Sequence, residues 1–129
     1  MPETTIGEKI RKQRAIHHLE RNDLSKLVDC HIDTVEGWEK DNVPPKIYNI
    51  EKMCTLFNVQ AEYFHEYYGA VKEGAYVKKI LVYKNKNKLS YKQLGTLLGI
   101  SESTIKRIIS KKLILSFKLF YKLKDSHIL

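Results

Sequence analysis

What this chain lacks narrows its function. No apolar run long enough to cross a membrane, roughly 18 residues or more, and no charged-then-apolar leader occurs in the 129 residues, so the expectation is no membrane span, no secretion signal, and the cytoplasm as default compartment. Cysteine is scarce: Cys30 and Cys54 are too few for a disulfide framework and match no zinc spacing. Cys30 reads better as a small buried hydrophobe. The five histidines are scattered, and the pair His17 and His18 suits a helix end, where a cation is welcome. No nucleophile–base pair, phosphate-cradling loop or metal cage is recognisable, so neither enzyme nor cofactor nor metal is predicted. Acidic residues are scarce in one half only. Residues 1–70 hold nine Lys/Arg against twelve Asp/Glu, net −3, whereas residues 71–129 hold fourteen against three, net +11. Genomic base composition explains a chain rich in lysine and isoleucine, but not this asymmetry. A phosphate-bearing partner belongs to the second half.

What is present is organised around Leu89–Lys112, LSYKQLGTLLGISESTIKRIISKK, which predicts two short helices joined by a tight turn. Ser90 and Gln93 form a capping box, and Leu94, Leu97 and Leu98 give the first helix an apolar face. Gly99 suits a left-handed helix end, Ile100 plugs the turn, and Ser101 caps the second helix, predicted over 102–110. Ile105, Ile108 and Ile109 form its buried stripe. Ser103, Lys106, Arg107 and Ser110 form the opposite one, polar and cationic, about one helix wide and shaped for a DNA major groove. Gly95 leaves room where the helices cross. An ordinary helical hairpin with a solvated polar face is the plain alternative.

The same architecture occurs earlier. LERNDLSKLVDCHIDTVEGWEK, from Leu19, lies over this motif at a constant offset of 70: Leu24 on Leu94, Val28 on Leu98, Cys30 on Ile100, Val35 on Ile105, Trp38 on Ile108. Ser25 stands opposite Gly95. The chain is therefore an internal duplication. Before the first copy, Thr5 and Glu8 open a helix. After it, Pro44 and Pro45 lead into another, and a short aromatic helix carries Tyr63, Phe64, Tyr67 and Tyr68. Residues 69–74, bounded by glycines, are the expected linker, giving domains 1–68 and 75–129. The predicted fold class is all-α, two tandem small helix-turn-helix domains with five helices and then about four.

Residues 5–64 resemble the Cro/repressor-type (XRE-like) helix-turn-helix domains of phage repressors and SinR-like bacterial regulators, and residues 76–124 resemble the same family without room for a fifth helix. The resemblance implies sequence-specific binding of double-stranded DNA by a bacterial or phage-like, nucleoid-associated transcriptional regulator, commonly a homodimer. It also implies a structural ion pair, met here by Arg14 and Glu39. The second copy has Lys84 and Ile109 there, and an apolar contact is expected instead. The family reads bases from the start of the recognition helix. Carried over by position, the second copy offers Ser101, Glu102, Ser103, Thr104, Lys106 and Arg107, supported by Tyr91, Lys92, Ser110, Lys111 and Lys112. Of these, Arg107 suits guanine and the lysines suit phosphates.

The first copy offers Arg21, His31, Ile32, Asp33 and Glu36 as weaker DNA or partner contacts. Between Glu20 and Asp41 seven acids face three bases, a local −4, so this copy is expected to keep the fold for dimerisation or for a protein partner. The alternative function is a protein-interaction module in which DNA contact is secondary or absent. The last helix carries more apolar surface than one face needs. Its Phe117, Phe120 and Tyr121, with Tyr63, Phe64 and Tyr67, are the expected interface; Leu113–Leu115 folding back is the other way to cover it.

Overall fold

The computed structural model describes residues 5–129; residues 1–4, the start of the expected first domain, lie outside the described residues. Among those described the protein is all-helical, with ten helices and no strand. In order they are α1 (Ile6–Ile16), α2 (Arg21–Leu27), α3 (Ile32–Lys40), α4 (Ile47–Phe57), α5 (Ala61–Phe64), α6 (Glu66–Glu73), α7 (Tyr76–Lys86), α8 (Tyr91–Leu98), α9 (Glu102–Ile109) and α10 (Phe117–Asp125). The chain divides into two compact units, with the division falling between Gly69 and Ala70.

In the first unit α1 and α2 both pack on α3, and α5 packs on α1 and α4. The helix starts are locally encoded: Thr5 Oγ1 accepts from Glu8 N at 3.1 Å, and Glu20 N donates to Asp23 Oδ2 at 2.9 Å. Gly7 lets α1 lie against α3, because a Cβ there would collide with the backbone of Trp38 and Glu39. In the second unit α8 packs on both α9 and α10.

The two units bury equivalent side chains at the offset of 70. Ile10, Leu24, Val28, Val35, Trp38, Ile50 and Met53 are buried, and so are Ile80, Leu94, Leu98, Ile105, Ile108, Phe120 and Leu123. Each such side chain contributes roughly 1.5–3 kcal/mol relative to exposure. The backbone repeats as well. His18 and Lys88 are left-handed at φ 56° and 52°, and Asp29 and Gly99 at 58° and 70°. Each pair ends a helix with the same bond back into its last turn: Leu19 N to Arg14 O at 2.8 Å and Leu89 N to Lys84 O at 2.9 Å, then Cys30 N to Ser25 O and Ile100 N to Gly95 O, both 2.9 Å.

Three expectations need correcting. The apolar face of α8 is Leu94, Gly95 and Leu98, while Leu97 is exposed, as is its counterpart Leu27. The buried arc of Leu94, Gly95 and Leu98 is centred near Leu98, and at 3.6 residues per turn Leu97 lies about 100° away from that centre. The aromatic helix is two helices. His65 is extended at φ −170° and ψ 145°, and its Nδ1 accepts from Tyr67 N at 2.9 Å, so α6 starts afresh where one helix was expected. The linker expected at 69–74 is helical as far as Glu73. A Cβ on Gly69 would run into the Glu62 side chain, so this glycine serves close packing, and Gly74, at φ 76°, follows the helix end.

Candidate nucleic-acid interface

The second unit presents α9 from a tightly specified turn. Ser90 Oγ accepts from Gln93 N at 3.0 Å while Gln93 Oε1 accepts from Ser90 N at 2.8 Å, the reciprocal box that starts α8. Gly99 reverses the chain. A Cβ on Gly95 would stand 2.6 Å from Ile100 O, so α8 and the turn are in backbone contact. Ser101 then caps α9, accepting from Thr104 N at 3.2 Å. Its hydroxyl also bonds Ser103 Oγ at 3.1 Å and Thr104 Oγ1 at 2.8 Å. Three hydroxyls thus gather at the positive end of a helix, a place suited to anions.

With Ile105 and Ile108 buried, the opposite side of α9 is turned outward: Glu102, Ser103, Lys106, Arg107 and Ser110 are all exposed, as are Lys92, Lys111 and Lys112. Ile109, expected in the buried stripe, is half-buried. Lys106 is held at its ammonium group. Its Nζ lies 3.2 Å from Glu102 Oε1, one turn back on the same helix, and 5.6 Å from the centre of the Tyr91 ring. Arg107 has no ion-pair partner among the described residues, and its carbonyl accepts from Ser110 Oγ at 3.1 Å. Lys111 adopts φ 62°, which turns the chain directly after the helix.

Tyr91, expected among the residues that support DNA contact, is a platform between lysines. Lys84 Nζ stands 4.4 Å from the ring centre, with Lys106 also within cation–π range. Lys84 was expected to make an apolar contact in place of the ion pair; the aromatic face of Tyr91 takes that role by attracting the charge. This pairing was missed because it joins α7 to α8. The available signal was the offset of 70, which sets Lys84 and Tyr91 opposite Arg14 and Arg21.

The first unit uses those positions differently. Arg14 forks onto Glu39 through Nε to Oε2 and Nη2 to Oε1, both 2.8 Å, and its Nη1 donates to Leu19 O at 3.0 Å. Arg21 Nε reaches Glu39 Oε1 at 3.2 Å, and Arg11 Nε approaches the same oxygen at 3.5 Å. The Glu39 side chain is fully buried. Burial pushes its pKa up, but the hydrogen bonds and charges of Arg14 and then Arg21 outweigh that, and the carboxyl titrates below its ordinary range. The hydrogen bond to Glu39 raises Arg14 in turn, against its own burial.

Arg21 is therefore turned toward the protein and away from any ligand. Glu36 pairs with Arg21 at 3.6 Å and with Lys40 at 3.7 Å. Two of the seven acids expected to form a repulsive surface are thereby neutralised, one of them inside the unit. His31, Ile32 and Asp33 remain exposed at the start of α3, where His31 Nδ1 accepts from Asp33 N at 3.1 Å.

Of the aromatic residues expected at an interface, Phe64, Tyr67 and Phe120 are buried, Tyr63 and Phe117 are half-buried, and only Tyr121 is exposed. Leu115 is fully buried and Leu113 half-buried, so the return segment contributes to the core. No described helix is long and apolar enough to cross a membrane, and no described cluster of His, Cys, Asp or Glu could hold a metal ion. Comparison with protein families, with curated proteins and with solved structures finds no match.

Proposed function

We propose that the chain is a sequence-specific duplex-DNA-binding regulator of the XRE-like class, acting through α9 of its second unit, with the first unit kept for dimerisation or for a protein partner. The observation that carries this reading is the exposed stripe Ser103, Lys106, Arg107 and Ser110 on a short helix whose other face, Ile105 and Ile108, is buried. A helix of that width enters a major groove. Arg107, exposed and with no ion-pair partner among the described residues, is the residue to bond guanine O6 and N7, worth about 1–3 kcal/mol of discrimination. Lys92, Lys111 and Lys112 hold phosphates, which position without specifying. Tyr91 and Glu102 aim Lys106, and because its ion pair with Glu102 is exposed the lysine can exchange that carboxylate for a phosphate of the duplex.

The first unit supports a different use. Its α3 begins with exposed Ile32 and Asp33, an apolar and an acidic side chain side by side, which suits a basic protein surface better than phosphates. The second reading, a regulator-binding module, follows if that surface dominates. The test is retardation of genomic fragments enriched on the full chain at moderate salt. On the DNA reading, Lys106→Ala with Arg107→Ala abolishes specific retardation; unchanged retardation would sink it in favour of the module.

A further inference from the structure

A groove of about 420 Å³ in the second unit lies between α7 and the turn after α10, lined by Lys78, Lys79, Val82, Tyr83, Lys86 and Ile128 together with His127. The internal repeat indicates what such a groove accommodates. In the first unit the corresponding α1 positions meet α5: Gln13 Nε2 donates to Tyr63 OH at 3.1 Å, and Lys9 Nζ lies 5.8 Å from the Tyr63 ring centre. Lys79 and Tyr83 stand 70 residues after Lys9 and Gln13. The other wall matches too. Asn58 ends α4 at φ 56° with Val59 N bonded to Cys54 O at 3.1 Å, and His127 follows α10 at φ 59° with Ile128 N bonded to Leu123 O at 2.9 Å. Among the described residues the second unit has no counterpart of α5, and Val82 is 56% exposed.

We infer that this groove docks a short acidic helix of a partner protein, one that lays aromatic side chains on Val82, Tyr83 and Ile128 as α5 lays Tyr63 on α1. The charge of the rim selects the partner. Lys78, Lys79 and Lys86 surround an apolar floor, so the occupant carries acids beside its aromatics, and a basic helix is excluded. The α5 sequence Ala61-Glu62-Tyr63-Phe64, with Glu66 beyond it, has that chemistry. The site differs from the proposed DNA-binding stripe in both residues and chemistry, and it does not depend on that reading.

The experiment uses a fluorescein-labelled peptide with the sequence of residues 58–69 as the probe, added to the full chain. Binding is read by polarisation and mapped by amide shifts. The expected result is saturable binding that shifts the amides of Lys79, Val82, Tyr83 and Ile128. It weakens by about tenfold in Val82→Lys, a change the fold tolerates because the first unit has Lys12 there, and similarly when both glutamates of the peptide become lysine. Far-UV circular dichroism confirms that the variant is folded. Absence of binding, equal binding to Val82→Lys, or shifts confined to the first unit would overturn the proposal. Self-association of the chain that Val82→Lys abolishes would also overturn it, by making a second copy the occupant.

Discussion

Glu39 and Ile109 stand at the same place in the two units, and around them the repeat diverges in chemistry while keeping its frame. In the first unit three arginines converge on one buried carboxylate. In the second a tyrosine ring holds Lys84 on α7 and Lys106 on α9. The difference concerns where charge is used. Burying an ion pair costs desolvation that its attraction only partly offsets, and the first unit commits Arg14 and Arg21 to that purpose. The second unit holds Lys84 and Lys106 by cation–π contact near the surface, and the ion pair of Lys106 with Glu102 is itself exposed. One copy has turned its cations inward, and the other has kept them outside.

The largest test of this contrast removes the central group of each unit. Glu39→Ala takes the carboxylate from the nearly buried Arg14 guanidinium and is expected to cost about 3–5 kcal/mol, whereas Ile109→Ala, at a half-buried site, costs about 1–2 kcal/mol. Urea unfolding checks both. Trp38, the only tryptophan, sits on α3 next to Glu39 and reports the first unit by fluorescence, while circular dichroism reports the whole chain. Equal losses would erase the distinction.

Acid sharpens it next. Because the Glu39 carboxyl is lowered on folding, its contribution is present above the unfolded value, about 4.5, and is lost as pH falls through the lower folded one. Trp38 fluorescence is therefore expected to change below about pH 4.5 before helicity in the second unit is lost. A single coincident transition would argue that Glu39 is not the acid-sensitive group.

A smaller effect is expected at Asn49. Its Oδ1 is buried with no hydrogen-bond partner among the described residues, and the second unit has the buried Leu119 in its place. Asn49→Leu is expected to stabilise the first unit by about 1–2 kcal/mol, measured as an increased urea midpoint of Trp38; a decreased midpoint would show that the amide has a role. The smallest change is Tyr91→Leu, which keeps an apolar contact and removes the ring. It is expected to cost the second unit about 0.5–1 kcal/mol in thermal unfolding, and no change would mean that Lys84 gains nothing from the ring.

The frame was legible because it depends on local pattern. Capping residues, the αL turn at Gly99 and the spacing of Leu94, Leu98, Ile105 and Ile108 are each set within a few residues, and the offset of 70 doubled every such signal. What was hidden depends on side chains meeting across helices. Arg11 and Arg21 approach Glu39 from α1 and α2, and no spacing announces three donors on one carboxylate. The acidic count over Glu20–Asp41 overstated the surface charge for the same reason, since Glu39 adds charge in sequence and none at the surface. His65 broke an aromatic run that periodicity alone would continue, because its ring nitrogen caps the next helix. Leu97 looked buried by its residue type and is exposed by its angle. In the candidate site, the outward stripe of α9 could be read in advance, but the Tyr91 platform beneath it could not.

On the proposed function α9, and not α3, meets DNA. The direct measurement is the dependence of DNA affinity on salt for the full chain, for Lys106→Ala with Arg107→Ala, and for Asp33→Ala with Glu36→Ala, on one enriched fragment. The prediction is that the first pair weakens binding and flattens the slope of log affinity against log salt by roughly one to two, while the second pair leaves the slope unchanged and the affinity equal or higher. A steep loss from the Asp33 and Glu36 pair, with the Lys106 and Arg107 pair behaving as the unaltered chain, would contradict it.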